Sequence, residues 1–143
     1  MAEFKLTLND PKTGKSYQKQ IKDEESRVFL GKSISEIVSG DSFGFPGYEF
    51  EIRGGSDISG FPMRKGILGI RKRLNILKSI GFRGGQKGMR KRKTVCGHKI
   101  NEKISQINLK LIKEGKVQLA EALGVTDKPK DEKTETVKFE KKQ

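Results

Sequence analysis

The sequence predicts a mainly β fold: a small antiparallel β-barrel or sandwich with one or two short helices. Two observations support this prediction. Apolar and polar residues alternate over several short segments, which is the period of a half-buried strand, and glycine-containing turn sequences separate these segments. The chain has 143 residues, the length of one domain, and we expect that domain to span residues 1–126.

The first predicted element is a β-hairpin over residues 3–22. Apolar side chains occupy alternate positions of its first strand, at Phe4, Leu6 and Leu8. Residues 9–14 read Asn-Asp-Pro-Lys-Thr-Gly, which are residue types that favour a turn. The alternation then resumes over residues 17–21.

A short helix is predicted next, because residues 33–36 read Ser-Ile-Ser-Glu. This is a capping box, in which the first serine and the glutamate bond free N–H groups at a helix start. Gly40 would end the helix. Its apolar face would consist of Ile34, Ile37 and Val38.

Further alternation predicts a third strand over residues 48–52, ended by Gly-Gly-Ser-Asp at residues 54–57. Shorter strands are predicted around Leu74 and Ile76 and around Val95. A late strand contains Ile107, Leu109 and Leu111.

A second short helix, residues 117–123, would be closed by Gly124. Residues 127–143 hold 11 charged residues of mixed sign among 17, so we expect a mobile charged C-terminal tail.

The positive charge is concentrated in one part of the chain. The net charge is +13, and residues 53–99 contain 14 Lys and Arg with a single acid, Asp57. The rest of the chain is balanced, with 17 basic and 17 acidic residues. Like charges packed together repel one another unless an anion screens them, so the stretch predicts a surface for a polyanion rather than an ordinary solvated face.

Composition also narrows the class of protein. No apolar run approaches the roughly 20 residues of a membrane-spanning helix, and the first ten residues lack the layout of a signal peptide. A single cysteine excludes an internal disulfide and suits a reducing compartment. We therefore expect a cytoplasmic protein with no membrane partner.

The first motif of the basic stretch, residues 54–66, reads GGSDISGFPMRKG. Gly55 and Gly60 have the spacing of a phosphate-binding loop, but Phe-Pro follows where Lys-Ser or Lys-Thr is needed, so no nucleotide cradle is expected. The motif is either a structural turn or a turn that also presents Arg64 and Lys65 to RNA.

The second motif is a predicted strand over residues 71–77. Arg71 and Arg73 would share a phosphate-facing side, opposite Lys72 and the core-facing Leu74 and Ile76.

The third motif is a glycine-rich loop over residues 81–93, with six basic residues and no acid. We expect it to be mobile in the free protein and to become ordered on RNA, where its backbone amides add contacts that carry no sequence information. Phe82 either stacks on a base or packs within the domain.

Catalytic chemistry is not expected. Cys96 and His98 are the only cysteine and histidine, which is fewer than the four ligands of a zinc site. No carboxylate is available in this region to orient a Cys–His dyad, and two-metal nucleases need several carboxylates. The sequence thus predicts no enzyme, metal, cofactor or small-molecule substrate. The candidate RNA-binding residues are Arg53, Arg64, Lys65, Arg71, Lys72, Arg73, Lys78, Arg83, Lys87, Arg90, Lys91, Arg92, Lys93, His98 and Lys99.

The motif at residues 54–66, the basic strand after it and MRKRKTVCG at residues 89–97 together resemble the small-subunit ribosomal proteins of the "S six e" type, found in archaea and eukaryotes. The resemblance extends over roughly residues 1–124. It implies a β-rich structural constituent of the small ribosomal subunit in the cytoplasm, with ribosomal RNA and neighbouring ribosomal proteins as partners. Eukaryotic members add a long basic C-terminal helix with phosphorylated serines. No serine follows Ser105 here, as expected for the short archaeal form.

Composition alone leaves a second hypothesis open, a free RNA- or DNA-binding module such as a nucleic-acid chaperone. The Gly-Gly-Ser-Asp element of the resemblance favours the ribosomal protein.

Overall fold

The structure is a computed structural model that describes residues 3–22, 24–115 and Leu119. Within these residues the chain forms seven strands, one short α-helix and one 3-10 helix. In order they are β1 (Glu3–Asn9), β2 (Ser16–Lys22), α1 (Glu24–Arg27), β3 (Ile37–Ser39), the 3-10 helix (Gly40–Phe43), β4 (Glu49–Asp57), β5 (Arg71–Ile76), β6 (Lys91–Cys96) and β7 (Ile104–Lys113). The predicted mainly β fold is confirmed. No helix in the described ranges is long and apolar enough to span a bilayer.

Five strands form a mixed sheet in the order β2-β1-β7-β4-β3, curled into a half-barrel. All neighbouring strands in it are antiparallel except β1 and β7, which run parallel. The sheet therefore differs from the purely antiparallel one expected from the sequence by this one parallel pair. Alternation along a strand reports which face is buried, but it carries no information on the direction of the neighbouring strand.

The concave side of the sheet holds the main apolar core. The alternating residues of β1 and β7 point into it, and Phe4, Leu6, Leu8, Ile107 and Leu109 are all fully buried. Aromatic rings fill the space beside β4: the ring of Phe43 lies 5.3–5.7 Å from those of Phe29, Phe45 and Phe50. On edge strand β2, the Lys19 ammonium donates to the Phe43 carbonyl at 2.5 Å and lies over the Phe45 ring. This cation joins the sheet edge to the 3-10 segment.

The predicted β1–β2 hairpin is confirmed, with the turn where the sequence placed it. Asp10 organises that turn by accepting hydrogen bonds from the Lys12 amide at 2.8 Å and from the Thr13 hydroxyl at 2.7 Å. Gly14 adopts the left-handed conformation that the end of the turn requires, with φ of 69°.

The helix predicted from the capping box at residues 33–36 is wrong. Those residues form a turn, with the Glu36 amide bonded to the Ser33 carbonyl, and β3 follows. The Ile34 amide donates to the His98 carbonyl, and the Ser35 amide donates to the Ile52 carbonyl. Carbonyl groups distant in sequence thus accept from the N–H groups that would be unpaired at the start of a helix. A capping box stabilises a helix by pairing such groups, so it gives no added stabilisation here.

Strand β4 also runs further than predicted. Residues 54–57 were expected to end it, but they remain paired with β7, with register shifts at two points. Gly55 makes this possible, because a Cβ atom there would lie 2.2 Å from the Gln106 carbonyl oxygen. The predicted helix at residues 117–123 and the tail at residues 127–143 fall outside the described residues, apart from Leu119.

Strands β5 and β6 form a separate two-stranded antiparallel sheet. We call residues 71–96 the basic hairpin. Its buried side chains Ile76, Phe82 and Val95 form a small cluster with Ile67 of the preceding segment, and Leu74 packs against them. The strands predicted around Leu74 and around Val95 are therefore confirmed.

The close β4–β7 contact leads to a stability prediction. Gly55→Ala should lower the free energy of unfolding by about 1–3 kcal/mol, because the added methyl group has to displace the backbone of β7. Gly84→Ala is the matched control, since a Cβ atom there meets nothing within 4 Å. Urea denaturation of both variants would measure the difference. Equal stability of the two variants would show that the strands do not approach as closely as described.

Candidate nucleic-acid interface

The two faces of the basic hairpin carry different side chains. Directly opposite residues of an antiparallel pair share a face, and the register pairs Arg73 with Thr94 and Asn75 with Arg92. Arg73 and Arg92 therefore lie on one side of the hairpin, and both are exposed. Lys72 lies on the other side with the apolar residues Leu74 and Ile76, as the sequence predicted.

Most cations of the hairpin have no protein counter-charge. Within the described ranges, no acidic side chain forms an ion pair with any of Lys72, Arg73, Lys78, Arg83, Lys87, Arg90, Lys91, Arg92 or Lys93. By contrast, two lysines of the large sheet are paired with acids: Lys22 with Glu3 at 3.3 Å and Lys113 with Glu49 at 3.4 Å. The excess positive charge of the sequence therefore lies largely on the basic hairpin, without acidic partners among the described residues.

The segment expected to be a single loop, residues 81–93, is only partly one. Its last three residues, Lys91, Arg92 and Lys93, belong to β6, where backbone pairing with β5 fixes them. Phe82 is 8% exposed and packs in the hairpin cluster, which settles its role as a packing residue. The sequence did not indicate a strand at residues 91–93 because all three are Lys or Arg. The first apolar residue of β6 is Val95.

Arg71 occupies a different environment from Arg73, although both lie on the face predicted to meet phosphate. Its guanidinium binds the Asp57 carboxylate through two nitrogens, with Nε at 2.8 Å, and also donates to the Ser59 hydroxyl at 3.1 Å. The Phe61 ring stacks beneath it, with its centre 4.9 Å from the guanidinium carbon. Arg71 is thus committed to an internal ion pair, and its proposed role as a phosphate ligand is not supported by its contacts.

Asp57 is 3% exposed and stands at the end of β4. Burial alone would raise its pKa, but hydrogen bonds from Arg71 and from the Ile58 amide outweigh burial and hold the pKa of Asp57 below its ordinary value. The thiol of Cys96 lies 3.7 Å from the same carboxylate. Burial raises the pKa of Cys96, so it remains a neutral thiol. It packs where the end of β4 meets the start of β5, and we call this contact around Asp57 and Arg71 the junction.

This junction is the site feature that the sequence reasoning missed. Asp57 was considered only as a lone acid, too few for catalysis. Its isolation among 14 cations was the available signal, because a single acid in such a stretch has a choice of partners and can form an internal pair.

The remaining candidates lie outside the basic hairpin. On β4, Arg53 is paired with Glu51 at 3.0 Å. Arg64 is partly buried, and its Nη1 atom is fully buried and has no hydrogen-bond partner among the described residues. Lys65 donates to the Ser35 hydroxyl at 3.1 Å. His98 Nδ1 lies 2.7 Å from the Ile67 carbonyl, and Lys99 is exposed beside it.

The Asp57–Arg71 pair leads to a prediction on stability and its pH dependence. Asp57→Asn should cost roughly 2–3 kcal/mol at pH 7, because it leaves Arg71, itself only partly exposed, without a counter-charge. The folded-state pKa of Asp57 is lowered, so the stabilisation is present above the ordinary value of 3.8 and is lost as the pH falls below it. The gap between variant and wild type should therefore narrow in acid.

Thermal unfolding at pH 7 and at pH 3 would measure this gap. Glu49→Gln is the control, because it removes an exposed pair with Lys113 and should cost less than about 1 kcal/mol. An Asp57→Asn protein as stable as this control at pH 7 would contradict the account.

Comparison with known proteins adds an independent line of observation. The family model described as "Ribosomal protein S6e" matches residues 4–124. Three similar proteins, each named small ribosomal subunit protein eS6, come from archaea. The protein of Archaeoglobus fulgidus is 44% identical over 121 residues, which is 83% of this chain and 94% of the relative. That of Methanocella arvoryzae is 40% identical over 136 residues (94% and 92%), and that of Methanocaldococcus jannaschii is 42% identical over 126 residues (87% and 94%).

The matched residues include the whole large sheet from Phe4 onward, the basic hairpin and the Asp57–Arg71 junction. The resemblance inferred from the sequence is therefore confirmed, and the chain belongs to the ribosomal protein S6e family.

Proposed function

We propose that this chain is a structural constituent of the small ribosomal subunit in the cytoplasm, where its basic hairpin binds ribosomal RNA. Family membership and the printed name of its archaeal relatives support the place in the subunit. The same membership favours a ribosomal protein over a free nucleic-acid chaperone.

One observation carries the proposal for RNA binding: apart from Arg71, the cations of the basic hairpin have no counter-charge among the described residues. Arg73 and Arg92 share one exposed face, and Arg83, Lys87 and Arg90 follow in the connection between the strands. Such a surface repels itself in the free protein and is neutralised by phosphates. Double-stranded RNA offers a regular array of phosphates that can be recognised by shape without reading bases.

The partly buried guanidinium of Arg64 supports an anion nearby. Buried polar groups in folded proteins nearly always have a hydrogen-bond partner, and the Nη1 atom of Arg64 has none within residues 3–22 and 24–115. A phosphate oxygen reaching this guanidinium after a small side-chain adjustment would satisfy it. Arg64 therefore remains in the proposed interface, along with Lys65, Lys99 and the hairpin cations.

The mechanism is structural and involves no turnover. The curled sheet supplies a stable body, and the Asp57–Arg71 pair fixes the start of the hairpin to the end of β4. Phosphate binding on a surface held in this way would hold RNA segments in a fixed relation to one another. In the described ranges no three His, Cys, Asp or Glu side chains form a group that could hold a metal.

The salt dependence of binding tests this function. If about eight cations contact phosphate, log K should fall with log salt at a slope of roughly −5 to −7 on protein-free archaeal small-subunit ribosomal RNA. Replacing Arg73 and Arg92 with Gln should lower the affinity and reduce the slope by about 1.5, because two phosphate contacts are lost.

The matched control removes two charges elsewhere. Lys22→Gln with Lys113→Gln takes away two exposed cations of the large sheet that are already paired with acids. It should leave the slope nearly unchanged. A wild-type slope shallower than about −2, or equal effects of the two double variants, would refute RNA binding through the hairpin.

A further inference from the structure

A surface cavity of about 170 Å³ lies beside the basic hairpin. Residues 67–70 form one side of it, and His98, Lys99 and Asn101 form the other. None of the phosphate contacts proposed above requires a concave site, so the cavity calls for a separate explanation.

Its walls are held in place by backbone hydrogen bonds. The Gly97 amide donates to the Ile70 carbonyl at 3.1 Å, and the His98 amide donates to the Ile67 carbonyl at 2.9 Å. The two segments approach so closely that a Cβ atom on Gly97 would lie 1.8 Å from the Gly69 carbonyl oxygen. The cavity is therefore formed before any ligand arrives.

The apolar part of the lining is open to water. Leu68 is 66% exposed, although it directly follows Ile67 of the hairpin core, and Ile70 is 48% exposed. Covering such surface is favourable by about 25 cal/mol for each Å² removed from water. A flat apolar ligand would gain from both side chains.

The polar part of the lining offers the hydrogen-bonding side chains of His98 and Asn101. Carbonyl oxygens only accept, so His98 Nδ1 donates to Ile67 and the ring is fixed, with Nε2 left without a partner among the described residues. Asn101 uses its Oδ1 to accept from the Lys103 amide at 3.0 Å. The side-chain NH₂ of Asn101 has no hydrogen-bond partner among the described residues.

Cations flank the opening. Lys99 lines the cavity and is exposed. The Lys72 side chain extends along Gly69, since its Cε would lie 3.5 Å from a Cβ atom placed there. No acid of the described ranges pairs with either lysine.

We propose that this cavity binds one unstacked nucleobase of the bound RNA, with Lys72 and Lys99 on the adjoining phosphates. A nucleobase combines apolar ring faces with donors and acceptors at its edge, and it always comes with phosphates on both sides. An aliphatic side chain of a neighbouring protein would cover Leu68 and Ile70 equally well, but it would leave the histidine, the amide and both cations unmatched. The proposal rests on the RNA-binding function above.

The test compares two pairs of exposed apolar residues. Leu68→Ser with Ile70→Ser should weaken binding to protein-free archaeal small-subunit ribosomal RNA about tenfold, as loss of one base contact would. The salt slope should not change, because no phosphate contact is lost. Ile37→Ser with Ile112→Ser is the control: these residues of the large sheet are 57% and 50% exposed and lie outside both the cavity and the hairpin, so the affinity should be unchanged.

A second readout uses small probes on the wild-type protein. AMP and CMP should shift the methyl NMR signals of Leu68 and Ile70, and ribose 5-phosphate should not. Unchanged RNA affinity of the Leu68/Ile70 variant, or equal shifts with ribose 5-phosphate, would overturn the base site.

The two proposals fail in different ways. If RNA binding by the wild type depends steeply on salt but the Leu68/Ile70 variant binds RNA with unchanged affinity, the base site alone is refuted. If that variant then fails to enter reconstituted subunits, a protein neighbour occupies the cavity instead. Absence of salt-dependent RNA binding in the wild type would remove the RNA-binding function itself.

Discussion

The buried carboxylate of Asp57 stays charged because Arg71 binds it with two nitrogens and the Ile58 amide donates to its other oxygen. This pair joins the last residue of β4 to the first residue of β5. A two-stranded hairpin with one small apolar cluster is marginally stable by itself. Its position therefore depends on the junction with the large sheet, where Cys96 and Phe61 pack around the ion pair.

This arrangement separates stability from binding. The large sheet has the apolar core and surface ion pairs at Lys22 and Lys113, and most cations of the hairpin have no acidic partner among the described residues. Adding acids to the hairpin would relieve repulsion within it, but they would also compete with phosphate for the same cations. Of the arginines in the hairpin, Arg71 alone is paired with an acid of the described residues, and Arg73, Arg83, Arg90 and Arg92 are left without one.

Sequence reasoning worked where one local signal decided the outcome. The period-two pattern located β1, β2 and β7, and the Asp10 turn followed from residue types. It failed at residues 33–36, because the hydrogen-bond partners of that segment lie at Ile52 and His98, far along the chain. The alternation also placed Arg71 and Arg73 correctly on one face of the strand. It could not show that Arg71 is paired with an acid and that Arg73 is not. That distinction depends on where Asp57 lies in space, which no spacing in the sequence reveals.

We propose that RNA covers the hairpin and not the large sheet. Lysine acetylation footprinting, with the chain free and bound to protein-free archaeal small-subunit ribosomal RNA, measures this directly. RNA should protect the hairpin lysines, which are Lys72, Lys78, Lys87, Lys91 and Lys93. It should leave the reactivity of Lys5, Lys12, Lys22 and Lys113 on or near the large sheet unchanged. Equal protection of both sets, or protection of the large-sheet lysines alone, would contradict the account.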